Sequence, residues 1–284
     1  MTQGVVVGLD GTDQADAAAR WAAEEALVRG TGVHLVHARE ASPAALLPFA
    51  AREPDEPWAE DLLARTAAGL RERHPGLSVT TRLLPAEPVA SLVAAAEQGD
   101  LLVLGSRALS GVAGYLIGSV GMSVAGVVKR PVVLVRTLGT SPSRGPVVVG
   151  VDLRHPVDTV LGFAFEEAAR RLTQVRVVYA QQLPGFATLG PPVVPDIRLT
   201  VGPEIQRSLD DILEPWRARF PGLVVSGRVT VGSAGQELVR TAEDAALVVV
   251  GRRIQRSTLG TRLGSVAHAV LHHSRPPVAL VPHD

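Results

Sequence analysis

Four glycines fall within fourteen residues of the chain, directly after an apolar run: Gly105, Gly111, Gly114 and Gly118. Ser119 follows them, at the start of a segment with helical periodicity. Glycines let backbone N–H groups approach an anion, and a helix N-terminus adds unpaired donors with a partial positive charge of about half an electron. This combination suits phosphate binding. A lone glycine cluster is more often a flexible loop with a serine cap, so the interpretation depends on what surrounds it.

A carboxylate follows the first apolar run of the chain, in the sequence Gly8-Leu9-Asp10-Gly11-Thr12. An aspartate beside a glycine commonly caps a helix or stabilises a turn. The second half of the chain has a counterpart, Asp152, which also ends an apolar run. We therefore expect Asp10 to contact a ligand.

The two halves of the chain repeat one another. The segment from Asp100 to Gly105 is echoed 146 residues later by Ala246 to Gly251. The same spacing carries Gly118-Ser119-Val120 onto Gly264-Ser265-Val266. Such a repeat indicates two copies of one fold. Nearer the start of each half, Gly8 matches Gly150 at a spacing of 142 residues, as expected if one loop differs in length.

The boundary between the copies is predicted from composition. Residues 139–145 are rich in Ser, Gly and Pro, which is typical of a linker. The predicted domains are therefore residues 1–138 and 146–284.

Strands and helices are predicted to alternate in each copy. In the first, apolar runs predict strands over residues 4–9, 33–38, 77–84, 101–104 and 131–136. Helices are predicted from a cap at Thr12 or Asp13 to Gly30, over about 58–73 and 88–98, and from Ser119 onward. Each copy is thus expected to be a doubly wound, Rossmann-like α/β domain, a five-stranded parallel sheet with helices on both faces. In such sheets ligands bind at the carboxyl ends of the strands, where both candidate loops lie.

Composition excludes several classes of function. Hydrophobic residues make up 46% of the 284 residues, and Lys+Arg and Asp+Glu number 28 each, so no broad positive field favours nucleic acid or anionic membranes. There are no cysteines, and no apolar run is long enough to cross a bilayer. We expect a soluble cytoplasmic protein.

The chain resembles the universal stress protein family, in its tandem two-domain form. ATP-binding members of that family carry Gly, two residues, Gly, nine residues, then Gly-Ser or Gly-Thr. Here Gly105 is followed after two residues by Ala108 and, nine residues later, by Gly118-Ser119. The second copy has Gly251, then Ile254, then Gly264-Ser265 at the same spacing. The second glycine of the motif is absent both times.

The resemblance implies ATP, with magnesium, as the ligand. It implies that Asp10 contacts the nucleoside, that the backbone near His37 and Ala38 meets the adenine, and that Gly105, Gly118 and Ser119 hold ribose and phosphates. The candidate ligand-binding residues share a place in the loops after strands; they are Asp10, Gly11, Thr12, His37, Ala38, Gly105, Ala108, Gly111, Gly114, Gly118, Ser119, Val120, Asp152, Gly251, Gly264 and Ser265.

The second copy is predicted to be degenerate as a nucleotide site. Ile254 is β-branched and bulky where a triphosphate should pass. Arg154 stands where the first copy has Thr12, and it can pair with Asp152 in the space that a ribose needs. The arginines around the second glycine loop could bind a different anion or a partner, but the favoured interpretation is solvated surface charges; they are Arg252, Arg253, Arg256 and Arg262.

Two further patterns are interpreted structurally. His268 and His272 lie four residues apart with His273 next, but without an acidic partner they fit the favourable place of histidines near a helix C-terminus better than a metal site. The last strands, over 131–136 and 277–281, are short and apolar, so each is expected to be an edge strand at which the two copies pair. A homodimer is a further expectation.

Three functions remain open at this point. The first is a non-enzymatic ATP-binding regulator. The second, an ATP-using enzyme, is disfavoured because the chain has no Gly-x-x-x-x-Gly-Lys-Ser/Thr loop and no lysine between Gly105 and Ser119, although slow hydrolysis is compatible with the sequence. The third is a nucleotide-free, dimerising interaction module of the same fold.

Overall fold

The protein was analysed as a computed structural model. It describes residues 4–38, 55–84, 87–108, 115–116, 119–136, 145–181, 202–253 and 263–283. These residues divide into two compact units, whose described parts lie within 4–136 and 145–283. Residues 137–144, which contain most of the predicted linker, lie outside the described ranges, so the exact boundary stays a prediction.

The first unit alternates strands and helices as predicted. Its elements are β1 (Gly4–Gly8), α1 (Asp13–Arg29), β2 (Gly32–Ala38), α2 (Asp55–Arg73), β3 (Val79–Leu84), α3 (Pro88–Glu97), β4 (Leu101–Gly105), β5 (Arg107–Ala108), β6 (Tyr115–Leu116), α4 (Ser119–Val127) and β7 (Val132–Val135). Five of these strands pair in parallel in the order β7-β4-β1-β2-β3. Helix α1 contacts α2 and α3 contacts α4, as expected for one pair of helices on each face.

The second unit has the same plan. Its elements are β8 (Val147–Gly150), α5 (Asp158–Arg170), β9 (Val175–Gln181), α6 (Gly202–Arg219), β10 (Val225–Val231), α7 (Ala234–Thr241), β11 (Leu247–Arg253), α8 (Ser265–His273) and β12 (Val278–His283). The described strands pair in parallel in the order β10-β9-β8-β11-β12. The predicted doubly wound α/β fold is therefore confirmed in both units.

Packing of small residues against the sheet forms the core of the first unit. The strand residues Val5 and Val7 are fully buried, and so are Ala18, Ala22 and Ala26 along one face of α1. Since alanine adds only a methyl group, α1 can lie close to the strands. The helix ends are those predicted: Thr12 caps the N-terminus by accepting a hydrogen bond from Ala15 N, and Gly30 ends the helix at a φ of 66°.

Two local features differ from the sequence prediction. Helix α2 begins at Asp55 instead of near Trp58, so Pro57 lies in its first turn. Proline is tolerated there because the N–H that it lacks has no intrahelical acceptor in the first turn. The glycine-rich loop also contains a short antiparallel pair, β5 with β6, which the sequence did not indicate.

A buried ion pair repeats in the two units. Glu25 on α1 pairs with Arg29, and Glu167 on α5 pairs with Arg171, at a spacing of 142 residues from the first pair. Glu25 is 2% exposed and Glu167 is fully buried. The pair lies at the same place in both copies, which indicates that it belongs to the fold.

None of the helices in the described ranges combines the length and the apolar character that a bilayer span requires.

Removing the buried charge of the second unit should destabilise that unit. Glu167→Gln leaves the guanidinium of Arg171, whose side chain is 10% exposed, without its carboxylate. Breaking one partner of a buried pair typically costs about 3 to 5 kcal/mol in the free energy of unfolding. Urea unfolding followed by hydrogen exchange can measure this loss unit by unit.

The matched control is Asp244→Asn in the same unit, which breaks the ion pair between Asp244 and Arg176. The side chain of Asp244 is 60% exposed. This change should cost less than about 1 kcal/mol. Equal effects of the two substitutions would contradict a special role for the buried pair.

Candidate functional site

The candidate loops of the first unit meet at one edge of its sheet. Strands β1 and β4 are parallel neighbours, with Gly8 in register with Leu104, and β2 lies on the other side of β1. The strand order reverses between β1 and β4, which is where doubly wound sheets bind ligands. The structure therefore brings Asp10, His37 and Gly105 to the same edge. Gly111, Gly114 and Gly118 lie outside the described residues.

The turn after β1 orients the carboxylate of Asp10. Its Oδ1 accepts hydrogen bonds from the backbone N of Thr12 at 3.1 Å and from the Thr12 hydroxyl at 2.5 Å. The same hydroxyl accepts a hydrogen bond from Ala15 N at 3.3 Å and so caps α1. Gly11 completes the turn at a φ of 77°, where a glycine is favoured. Asp10 is thus an exposed carboxylate held in place beside a helix N-terminus.

Two aromatic rings lie beside this turn. The Nδ1 of His37 is 2.8 Å from the carbonyl oxygen of Leu9, and because a carbonyl only accepts, Nδ1 carries the proton. The ring of Trp58, from the first turn of α2, contacts His37 edge to face, with centroids 5.6 Å apart. Trp58 also covers Gly11, on which a Cβ would lie 2.7 Å from its Cζ2 atom. Sequence reasoning missed Trp58, although it is one of only three tryptophans and lies in the first turn of a helix.

Gly105 is explained by packing. A Cβ at this position would lie 2.6 Å from the backbone carbon of Gln14 and 2.7 Å from the nitrogen of Ala15. The end of β4 therefore touches the first turn of α1 backbone to backbone. This close approach requires glycine whether or not a ligand binds.

The backbone conformation at Ala108 does not require a glycine. It lies in the extended strand β5, and among the described residues only Glu87 and Leu172 carry a side chain at positive φ. Alanine in place of the second motif glycine is therefore compatible with the backbone.

A buried hydroxyl follows Gly105. Ser106 is 1% exposed, and within the described residues its Oγ has no hydrogen-bond partner. Arg252 takes the corresponding position in the second unit; it is 3% exposed, and burial lowers its pKa. The interpretation of Arg252 as a surface charge is therefore wrong. Arg253 is exposed, as expected, and Arg256 and Arg262 lie outside the described residues.

The corresponding turn of the second unit is closed by an arginine. The Nε of Arg154 donates to Asp152 Oδ1 at 2.9 Å, and its Nη2 donates to Oδ2 at 3.0 Å. The predicted pairing is thereby confirmed, and it occupies both carboxylate oxygens. The hydrogen bond from Arg154 holds the pKa of Asp152 below its usual value, against the opposing effect of burial.

The loop around Asp152 also has a different shape. Helix α5 begins six residues after Asp152, whereas α1 begins three residues after Asp10. Its N-cap, Val157, makes no side-chain cap hydrogen bond. The spacing between the copies is still 142 residues at Glu25 and Glu167, so the change to 146 residues arises farther along the chain.

Tyr179 replaces His37 in the second unit. Its hydroxyl donates to Gln181 Oε1 at 2.7 Å. Burial, together with the neighbouring carboxylate of Asp152, raises its pKa. In the first unit His37 is hydrogen-bonded to Leu9, next to the turn after β1. In the second unit the equivalent Tyr179 is instead hydrogen-bonded to a residue of its own strand, β9.

Comparison with known proteins identifies the family of the chain. The model of the universal stress protein family matches residues 1–136 and again 144–282. The chain belongs to the universal stress protein family. Universal stress protein Rv2005c of Mycobacterium tuberculosis is 32% identical over 294 residues, which cover 97% of this chain and 95% of that protein. A universal stress protein of Mycolicibacterium smegmatis is 28% identical, with 98% and 96% covered.

A solved structure extends the comparison to the fold. The crystal structure of a universal stress protein from Archaeoglobus fulgidus matches with a TM-score of 0.68 at 16% identity, covering all of both chains. Within this tandem universal stress protein, both copies keep a helix that begins at the family's Gly-Ser position. Helix α4 begins at Ser119, and α8 begins at Ser265 after Gly264, whose φ of −61° and ψ of 156° are extended. The helix is therefore common to the copies, whereas the turn after the first strand differs.

The histidine cluster is not assembled as a metal centre. The rings of His268 and His272 lie with centroids 4.2 Å apart on α8. In the part of the chain that the structure describes, no group of three potential ligands converges.

Gly105→Ala should destabilise the first unit even without nucleotide. The new methyl group meets backbone atoms, which cannot move aside as a side chain could, and such overpacking typically costs about 1 to 3 kcal/mol. Scanning calorimetry of the nucleotide-free protein should show a lower Tm.

The control is Gly69→Ala within α2, where no atom lies within 4 Å of the added Cβ. That change should raise stability by about 0.5 to 1 kcal/mol; a Gly105→Ala protein as stable as wild type would refute the packing explanation.

Arg154→Ser should raise the pKa of Asp152 toward its ordinary value. Because the folded-state pKa is lowered, the pair stabilises the protein above the unfolded pKa of about 4 and loses this effect as pH falls through the folded value. Carboxyl NMR titration measures the pKa, and unfolding at several pH values measures the linkage. Arg176→Ser, which removes a different ion pair, should leave the pKa of Asp152 unchanged. The account fails if the variant and wild type differ in stability more at pH 2 than at pH 7.

Proposed function

We propose that this chain is a non-enzymatic, ATP-binding regulator of the stress response in the cytoplasm, and that it holds its nucleotide, with magnesium, in the first unit. The presence or absence of bound ATP would then set the regulatory state of the protein. The observation that carries the proposal is the contrast between two equivalent carboxylates. Asp10 is exposed and oriented, whereas both oxygens of Asp152 are bound by Arg154.

Three features of the first unit support a nucleotide site. The carboxylate of Asp10 is exposed and is oriented by its hydrogen bonds with Thr12, and each carboxylate oxygen has more than one lone pair with which it can accept hydrogen bonds from ribose hydroxyls. Helix α4 begins at Ser119, in the position where a helix N-terminus would face phosphates. The buried hydroxyl of Ser106, at the end of β4, has hydrogen-bonding capacity that the described protein atoms leave unused.

The proposal does not include designed turnover. No lysine lies between Gly105 and Ser119 to bridge phosphates, and no Gly-x-x-x-x-Gly-Lys-Ser/Thr loop occurs in the chain. Arg107 is the one cation in that segment. A regulator needs binding only, which the glycines and the helix N-terminus can supply.

The second copy is proposed to be mainly structural. Asp152 is closed by Arg154, and Ile254 replaces the second motif glycine. Pairing of the two copies through their last strands, and formation of a homodimer, remain predictions. They rest on the need to cover short apolar edge strands.

Titration of the full-length chain with magnesium ATP tests this function. Calorimetry should show saturation at about one equivalent, since one of the two motifs is complete enough to bind. Gly118→Val should abolish binding by filling the space beside the phosphates, while circular dichroism should show an unchanged fold. Asp152→Asn, which alters the closed turn, should leave the affinity unchanged.

A gain-of-function variant tests the same proposal in the second copy. Ile254→Gly combined with Arg154→Ser should add a second equivalent, because it removes both side chains that obstruct the second copy. Saturation of wild type at two equivalents would contradict the proposed inequality. No binding at millimolar ATP would instead favour a nucleotide-free interaction module.

A further inference from the structure

Trp58 is unusually exposed for so large an apolar side chain. It is 46% exposed at the start of α2, although tryptophan is highly buried on average. The buried part of its ring is in close contact with the turn after β1. A Cβ built on Gly11 would lie 2.7 Å from its Cζ2 and 2.9 Å from its Cη2. The indole thus contacts the protein at Gly11, the residue after Asp10, while nearly half of the side chain is exposed.

His37 holds the indole from a second direction. The two rings meet edge to face at an interplanar angle of 78°, a favourable geometry for aromatic pairs. His37 is itself tied to the Leu9 carbonyl through Nδ1. Because Gly11 lies in the turn after β1 and His37 lies on β2, these contacts orient the indole without a ligand.

The second unit lacks this arrangement. At the spacings that relate the copies, Glu204 takes the place of Trp58, and Leu153 and Tyr179 take those of Gly11 and His37. Glu204 is exposed in the first turn of α6. Among the described residues, the aromatic pair therefore has no counterpart at the equivalent positions of the second unit. Covering Gly11 alone would need no more than an aliphatic side chain, so packing does not account for a half-exposed indole.

We propose that Trp58, positioned by His37, forms the wall against which the base of the bound nucleotide stacks, and that it gives the first unit a preference for purine over pyrimidine nucleotides. The inference rests on the proposed function and names a residue that selects the ligand. Stacking of a base on an aromatic side chain contributes about 1 to 3 kcal/mol, which corresponds to a change in affinity of roughly 5- to 150-fold. A bicyclic purine covers more of an indole than a pyrimidine does, so the gain is larger for ATP than for CTP.

The test compares three ligands on the full-length protein: magnesium ATP, magnesium CTP and inorganic tripolyphosphate. Wild type should bind ATP more tightly than CTP. Trp58→Leu, which still covers Gly11, should weaken ATP binding about tenfold, consistent with the loss of one stacked base. It should weaken CTP binding less and leave tripolyphosphate binding unchanged. Trp58→Phe, which keeps a ring, should retain part of the preference for ATP.

The matched control is Trp216→Leu, which removes a tryptophan from the second unit and should leave all three affinities unchanged. If Trp58→Leu weakens the three ligands equally, Trp58 only supports the loop and the inference is overturned. If wild type binds ATP but the variant keeps both its affinity and its preference, the inference fails while the proposed function stands. If wild type binds no nucleotide, both fail together.

Discussion

In both units a carboxylate at the end of the first strand accepts a hydrogen bond from the backbone N–H two residues later, at 3.1 Å for Asp10 and 3.2 Å for Asp152. The side chain of that later residue decides what the carboxylate can do. Thr12 uses its hydroxyl to join Asp10 to the start of α1. Arg154 instead places its guanidinium across both oxygens of Asp152. The same backbone hydrogen bond thus holds a carboxylate that is exposed in the first copy and paired with an arginine in the second.

The interactions in the core of the fold are repeated, and those around the candidate site are not. The buried pairs Glu25–Arg29 and Glu167–Arg171 occupy equivalent positions, and helices begin at Ser119 and Ser265 in both copies. The turn after the first strand, by contrast, differs in length, in its glycine and in its aromatic neighbours. A duplicated domain in which one site is enough for function is free to lose the second site while it keeps the core.

Much of the fold could be predicted from the sequence because the signals are local. The Thr12 cap and the Gly30 stop fix both ends of α1, and the repeat, at spacings of 142 and 146 residues, relates the elements of the two copies. The start of α2 is predicted near Trp58 but lies at Asp55, because a proline such as Pro57 is tolerated in a first helical turn and does not mark where the helix begins.

The candidate site could be predicted only in part, because several of its contacts join distant segments. The motif glycine Gly105 suggested a phosphate contact, but its neighbour in space is the backbone of Gln14, ninety-one residues earlier. Trp58 and His37 come together across the segment between β2 and α2, and no spacing rule indicates that contact. Likewise, the burial of Arg252 depends on which parts of the protein pack against β11. The charges in the sequence of the loop that follows β11 do not predict that packing. The pairing of Arg154 with Asp152 was predictable because the two residues are two positions apart.

The central claim is that one copy is occupied by nucleotide and the other is not, and the protein as purified can test it directly. Acid denaturation of the full chain, followed by chromatography of the released adenine nucleotide, should give close to one nucleotide per chain after saturation with ATP and removal of free ligand. Asp10→Asn, which keeps the turn but removes the charge, should reduce this content strongly, whereas Asp152→Asn should not change it. Loss of nucleotide from the Asp152→Asn protein with retention by Asp10→Asn would show that the site lies in the second copy and would contradict the account.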